Sequence, residues 1–144
     1  MGSGGAVNVS VLGTQSSAPI TGPYRSCAKQ FTVPVQTYKG LVPGRLLDTR
    51  ASGVTVDHVS EHGPINAAGA TLQFTVAGRY NIPVNAAAVV LNVTVAGAQG
   101  NGFATVWPCG AAQPNASNLN FVAGVNVPNN VITKVGTTGK VCIY

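Results

Sequence analysis

The sequence predicts an all-β fold: a single antiparallel β-sandwich, of the jelly-roll or immunoglobulin-like kind, with an extended N-terminal arm. Short runs rich in Val, Thr, Ile and aromatic residues recur along the chain, and Gly, Pro and Asn separate them. Strong helix formers other than Ala are scarce, so we expect at most one short helical turn, around Ala51–Glu61. Strand content alone does not separate the two strand orders.

The recurring runs define nine candidate strands. The run Ala88–Val95 alternates partly, with Leu91 and Val93 on one face and Asn92 on the other, as expected of a half-buried strand. The other strands are expected at Val7–Leu12, Lys29–Val35, Arg45–Thr49, Thr71–Val76, Gly102–Trp107, Ser117–Phe121, Asn130–Val135 and Lys140–Tyr144.

The chain of 144 residues suits one domain with its own core. Residues 1–40 form the predicted N-terminal arm, with one or two strands, and residues 41–144 form the predicted sandwich body. No run approaches the roughly 20 apolar residues that cross a bilayer, so we expect no membrane span. Residues 1–5 have neither the basic nor the apolar region of a signal peptide.

Charged residues make up only 8% of the chain, and the acids are Asp48, Asp57 and Glu61. This scarcity argues against most carboxylate-based catalysis, including the paired carboxylates of glycoside hydrolases. We expect Asp48, between Arg45 and Arg50, to form an ion pair or a turn cap. The net charge of +5 reflects few acids rather than a run of bases, so no nucleic-acid partner is expected.

The segment His58-Val59-Ser60-Glu61-His62 matches the inverted zinc-peptidase pattern. Nearby glycines leave room for about two helical turns, and the sequence after His62 offers neither a histidine nor an acid as third ligand. We therefore interpret the segment as a solvated loop. Nucleophile-elbow and phosphate-loop motifs are also missing from the sequence, so we expect no enzyme activity and no cofactor.

The three cysteines, Cys27, Cys109 and Cys142, have no C-x-x-C spacing. Cys109 and Cys142 lie at the ends of predicted strands in the body, so we favour a disulfide between them in an oxidising, extracellular environment. Cys27 is then buried or paired between chains.

Most of the nine aromatic residues should lie in the core. A saccharide-stacking platform requires exposed rings, and the candidates for that role are Trp107, Tyr24 and Tyr38.

Four segments in the same order resemble a β-rich module of exported actinobacterial surface proteins, which often lies beside cell-wall hydrolases. The resemblance covers about residues 43–144 and implies a surface module without an assigned catalytic role, in which the Arg-x-x-Asp-Thr-Arg motif is structural. The segments are PGRLLDTR at 43–50, GFATVWPCG at 102–110, NASNLNF at 115–121 and GKVCIY at 139–144.

The chain departs from this module in two ways. Members usually continue beyond the Cys-x-Tyr motif into one more strand, and they rarely carry a long N-terminal arm. A missing strand leaves a groove with unpaired edges. Our hypothesis is that Val7–Leu12 fills this groove, in the same chain or in a neighbour, with Val7, Val9 and Val11 as the assembly strand.

These observations predict a non-catalytic structural surface protein located outside the cell. Because Met1 begins a segment without a signal peptide, we favour a phage virion component, capsid-decorating or tail-associated, released by lysis. Its expected partners are further copies of itself or a neighbouring virion or surface protein. The alternative is a secreted actinobacterial cell-surface module that binds cell-wall polysaccharide.

Overall fold

A computed structural model of the protein describes residues 6–19, 34–61, 63 and 69–144. These residues form antiparallel β-sheets without a helix, which confirms the predicted all-β, sandwich-like class. The strands are β1 (Ala6–Pro19), β2 (Pro34–Asp48), β3 (Leu72–Thr75), β4 (Ala88–Ala96), β5 (Gly102–Ala104), β6 (Val106–Pro108), β7 (Leu119–Phe121), β8 (Val127–Lys134) and β9 (Lys140–Ile143).

Three sheets share one hydrophobic core. The largest has the strand order β2-β1-β4-β8, the second β3-β9-β6, and the third pairs β5 with β7. Buried side chains from each sheet meet in a single cluster, among them Leu91 of β4, Val141 of β9 and Leu119 of β7. The apolar faces of the sheets therefore bury one another, as in other layered β folds.

The burial pattern of strand β4 matches the half-buried strand that its sequence predicts. Val89, Leu91, Val93 and Val95 are buried, and the residues between them, such as Asn92, are half-buried on the opposite face. The period of two in the sequence is thus the period of the pleat.

Strand β1 lies at the centre of the largest sheet, between β2 and β4. Val9 is opposite Leu47 on one side and Val93 on the other, and its side chain is 0% exposed. Val11 is also fully buried, and Val7 is 4% exposed. The structure places Val7–Leu12 within a sheet of its own chain; that these residues form an assembly strand stays a prediction.

Two strand predictions differ from the structure. A continuous strand β2 covers the predicted break before Arg45, and residues 29–33 lie outside the described part. The predicted strand Gly102–Trp107 is divided at Thr105, whose N–H and C=O both pair with the backbone of Tyr144.

The expected helical turn at Ala51–Glu61 is wrong: this segment is a series of turns. His58 and Ser60 have φ values of 56° and 61°. Non-glycine residues adopt this left-handed region singly, in turns, and it interrupts a right-handed helix.

Candidate functional site

The three carboxylates of the chain lie in one segment, residues 48–61, which we call the acidic loop. Each carboxylate contacts a basic side chain: Asp48 pairs with Arg50 and Arg45, Asp57 with Arg79, and Glu61 with His58. The Asp57–Arg79 pair joins the loop to the turn after β3, while Asp48 and Glu61 form pairs within the loop or at its start.

Asp48 is fully buried at the end of β2. Arg50 binds it with two donors, Nε at 2.9 Å from Oδ1 and Nη2 at 2.6 Å from Oδ2, and Arg45 Nη1 lies 3.1 Å from Oδ2. The hydrogen bond from the Arg50 side chain, more than any other contact, holds the pKa of Asp48 below its ordinary value of 3.8. The structure therefore places Asp48 in an ion pair of the kind that its flanking arginines predict.

Asp57 and Arg79 form a second clamp, between the acidic loop and the turn after β3. Arg79 Nη2 is 2.6 Å from Asp57 Oδ1, and Nε is 2.9 Å from Oδ2, a two-pronged geometry. The same guanidinium donates to the carbonyl oxygens of Val59 and Thr75 at 2.8 and 2.9 Å. Arg79 is 8% exposed, so these bonds form largely away from water.

The zinc-peptidase pattern lies on this turn-rich loop rather than on a helix. His58 is exposed, with Nδ1 3.3 Å from Glu61 Oε1, while His62 is outside the described residues. Glu61 also accepts hydrogen bonds from the backbone and hydroxyl of Thr55. Within the described ranges, no three His, Cys, Asp or Glu side chains are grouped to hold a metal ion.

Cys109 and Cys142 form a disulfide, with an S–S distance of 2.02 Å, as the sequence predicts. It links the end of β6 to β9 and packs with Trp107 in a small buried cluster that Tyr144 covers. Cys27 lies outside the described residues.

The structure describes two of the three aromatic candidates for saccharide stacking, and these two differ in exposure. Trp107 is only 6% exposed, and its indole Nε1 donates to the Ala111 carbonyl, so its proposed role as an exposed platform is wrong. The ring is buried because it packs on the disulfide. Tyr38 is 63% exposed on β2, and Tyr24 is outside the described residues.

An open pocket of about 610 Å³ lies at the end of the sandwich where β5, β7 and the chain after β9 meet; we call it the aromatic pocket. Two rings line it, Phe103 and Tyr144, whose centroids are 5.7 Å apart with a tilt of 41°. Its polar lining includes Gln113, Asn115, Ser117 and Asn120. No single residue pattern in the sequence marks this site, although the run Gln113–Asn120 is rich in amides.

Strand β1 has a paired strand on both of its edges along only part of its length. From Ala6 to Gln15 it pairs with β4, and the last of these pairs joins Gln15 to Ala88. From Ser16 to Pro19 it pairs with β2 alone, opposite Pro34–Thr37. We call Ser16–Pro19 and Pro34–Thr37 the β1–β2 ribbon. Among the described strands, none lies beside Ser16–Pro19 on the side that faces away from β2.

The described residues contain no helix with the length and hydropathy of a membrane span. No protein-family model, curated protein or solved structure matches this chain. The resemblance of residues 43–144 to the actinobacterial surface module therefore stays a prediction from its motifs.

Proposed function

We propose that this protein is a non-catalytic structural surface protein, a capsid-decorating or tail-associated component of a phage virion, that assembles through its β1–β2 ribbon. The observation that carries the proposal is the ribbon itself. Its strands pair with each other beyond the last pair that joins β1 to β4. An isolated two-stranded ribbon is marginally stable in water, so a partner strand would stabilise it.

The chemistry of the ribbon supports assembly. Among the described strands none borders the β1 edge of the ribbon, and an edge of this kind can pair with a strand from another chain. Next to the ribbon, β2 exposes two large apolar side chains, Tyr38 at 63% and Val42 at 74%. Together they add apolar surface of the kind that protein interfaces cover.

Two further observations support a structural role outside the cell. The carboxylates of the acidic loop bind arginine or histidine side chains, which suits a supporting role better than acid–base catalysis. The disulfide between Cys109 and Cys142 suits an oxidising environment, such as a virion surface or the outside of a bacterium.

The register suggests a direct test. Gln15 and Tyr38 are opposite each other, so Ser16–Thr37 can be replaced by an Asn-Gly turn that closes the hairpin at this pair. We expect the wild type to sediment as an oligomer and the shortened variant, which is 20 residues shorter, to sediment as a monomer. The variant should keep its β-rich circular dichroism, because the replaced residues lie beyond the pairs with β4.

A matched control is Val84→Ser, which alters another exposed apolar side chain (84% exposed) outside the ribbon. It should assemble like the wild type. A wild type that stays monomeric at every concentration, or a folded shortened variant that still assembles, would refute assembly through the ribbon.

The second candidate is a secreted actinobacterial cell-surface module that binds cell-wall polysaccharide. The aromatic pocket favours it, because an exposed ring beside several amides is suited to a sugar.

A further inference from the structure

Backbone pairing brings the side chains of the aromatic pocket together. Phe103 of β5 is directly opposite Asn120 of β7, so their side chains are neighbours across the two strands. The N–H of Tyr144 donates to the carbonyl of Thr105 at 2.9 Å, and the N–H of Thr105 donates to the carbonyl of Tyr144 at 3.0 Å. These bonds hold Tyr144 close to Phe103, two residues before Thr105.

The loop that forms the other wall is anchored at several points. Asn118 N donates to the Ala104 carbonyl at 2.9 Å, and Asn118 Oδ1 accepts from Val106 N at 2.7 Å. The hydroxyl of Thr105, which is fully buried, donates to the Ala116 carbonyl. The wall is thus fixed by buried groups before any ligand arrives, which lowers the entropic cost of binding.

The outward surface of the pocket is available for a ligand. Phe103 is 48% exposed, so part of its ring is accessible to a ligand. Gln113 and Asn115 are exposed, and their side-chain amides make no hydrogen bond to another described residue. Each of these amides offers donors and an acceptor, the set that pairs with neighbouring hydroxyl groups. Asn120, whose Oδ1 accepts from the Ser117 hydroxyl at 2.8 Å, still offers its amide N–H donors.

The charge of the residues that line the aromatic pocket limits the classes of ligand that the pocket can bind. The side chains that line the pocket are uncharged, and the α-carboxylate of the last residue, Tyr144, lies beside them. An acidic saccharide would require Arg or Lys partners, and a calcium-bridged one would require several carboxylates. A single-stranded nucleic acid would require a basic groove along its backbone.

We propose that the aromatic pocket binds a neutral saccharide, with the face of a sugar ring on Phe103 and its hydroxyl groups on the amides of Asn115 and Asn120. This inference deepens the second candidate function and rests on it. It does not depend on the β1–β2 ribbon, because no residue of the pocket belongs to β1 or β2.

The test is titration of the ¹⁵N-labelled full chain with soluble neutral tetrasaccharides of glucose, mannose, galactose and N-acetylglucosamine, followed by NMR. We expect at least one to bind with a dissociation constant of about 0.1–1 mM, as for a shallow open site. The shifted amide signals should be those of Phe103, Asn120 and Tyr144. Phe103→Ala and Asn120→Ala should each weaken binding about tenfold.

Val84→Ser is the matched control, since it alters an exposed apolar side chain outside both the pocket and the ribbon and should leave the affinity unchanged. Thermal unfolding of each variant distinguishes a lost ligand contact from a lost fold. The proposal is overturned if no neutral tetrasaccharide binds, if Val84→Ser rather than Phe103→Ala abolishes binding, or if only a sulfated saccharide or oligothymidine binds.

The two proposals can fail separately. If only the ribbon proposal fails, the wild type stays monomeric but still binds saccharide at the pocket. If only the pocket proposal fails, the wild type assembles through the ribbon but binds none of the saccharides.

Discussion

Replacing Arg79 by methionine removes the cation that holds the acidic loop against the sandwich. The guanidinium donates to both oxygens of Asp57, at 2.6 and 2.9 Å, and to the carbonyls of Val59 and Thr75 at 2.8 and 2.9 Å. Methionine replaces most of the apolar stem but offers no donor. The carboxylate and both carbonyls would then lose their partner in a largely dry environment.

The burial of the Asp57–Arg79 ion pair determines how far the substitution lowers the free energy of unfolding. Removing one member of a buried ion pair costs about 3–5 kcal/mol. The Asp57 side chain keeps 28% of its surface exposed, so water can partly replace the lost arginine. We therefore expect Arg79→Met to lower the free energy of unfolding by about 2–3 kcal/mol. Combining it with Asp57→Asn should cost less than the sum of the two single changes, since both remove the same interaction.

The assay is urea unfolding followed by the fluorescence of Trp107, with Arg45→Met as the matched control. Arg45 is 39% exposed and makes one ionic contact, at 3.1 Å, with Asp48, which keeps its stronger partner Arg50. Its replacement should cost less than about 1 kcal/mol. If Arg79→Met destabilises the protein no more than Arg45→Met does, the reasoning that the Asp57 clamp holds the acidic loop is refuted.

Three further predictions concern the core, the disulfide and acid. Val9→Ala should lower the free energy of unfolding in urea by about 2–3 kcal/mol through a cavity in the central strand; Val84→Ala, at an exposed site, should change it by less than about 0.5 kcal/mol. Replacing Cys109 and Cys142 together by alanine opens a loop of sequence separation 33. Chain entropy then predicts a loss of about 3.7 kcal/mol, and unchanged thermal unfolding would contradict it. Hydrogen bonds from its arginine partner lower the pKa of Asp57 below 3.8. As pH falls through this range the unfolded carboxylate binds its proton first, so stability is constant above about pH 5 and decreases below about pH 4. Asp57→Asn should reduce this decrease in an acid titration, and a protein whose stability rises with acid would disprove the assignment.

The sequence predicts the parts of the fold that depend on local pattern. The alternation in Ala88–Val95 appears as the alternating burial of β4, and the strand-end positions of Cys109 and Cys142 correspond to the disulfide. The alternation is a property of one short segment, and three cysteines allow only a small number of pairings.

Features that depend on tertiary pairing differ from the prediction. In a continuous strand over Gly102–Trp107, the alternate residues Phe103, Thr105 and Trp107 would share one face, yet only Phe103 is exposed. The cause is the exchange of backbone hydrogen bonds between Thr105 and Tyr144, which ends β5 and begins a different sheet. Propensity within the segment carries no information about this partner, which lies far along the chain.

The aromatic pocket was not predicted for the same reason. Phe103, Asn120 and Tyr144 come from three separate segments, and only the pairing of β5 with β7 and of Thr105 with Tyr144 brings them together. Trp107, the ring with the largest surface, was the natural candidate for stacking. Its burial depends on the disulfide beside it, a contact that composition does not reveal.

The most direct test of the proposed function is quantitative mass spectrometry of purified phage particles and of the cell-wall fraction from the same culture. We predict that this chain is recovered from the particles in a fixed stoichiometric ratio to their major capsid or tail protein. Recovery only from the cell wall or the medium would contradict the virion role, and would leave the cell-surface module as the function to pursue.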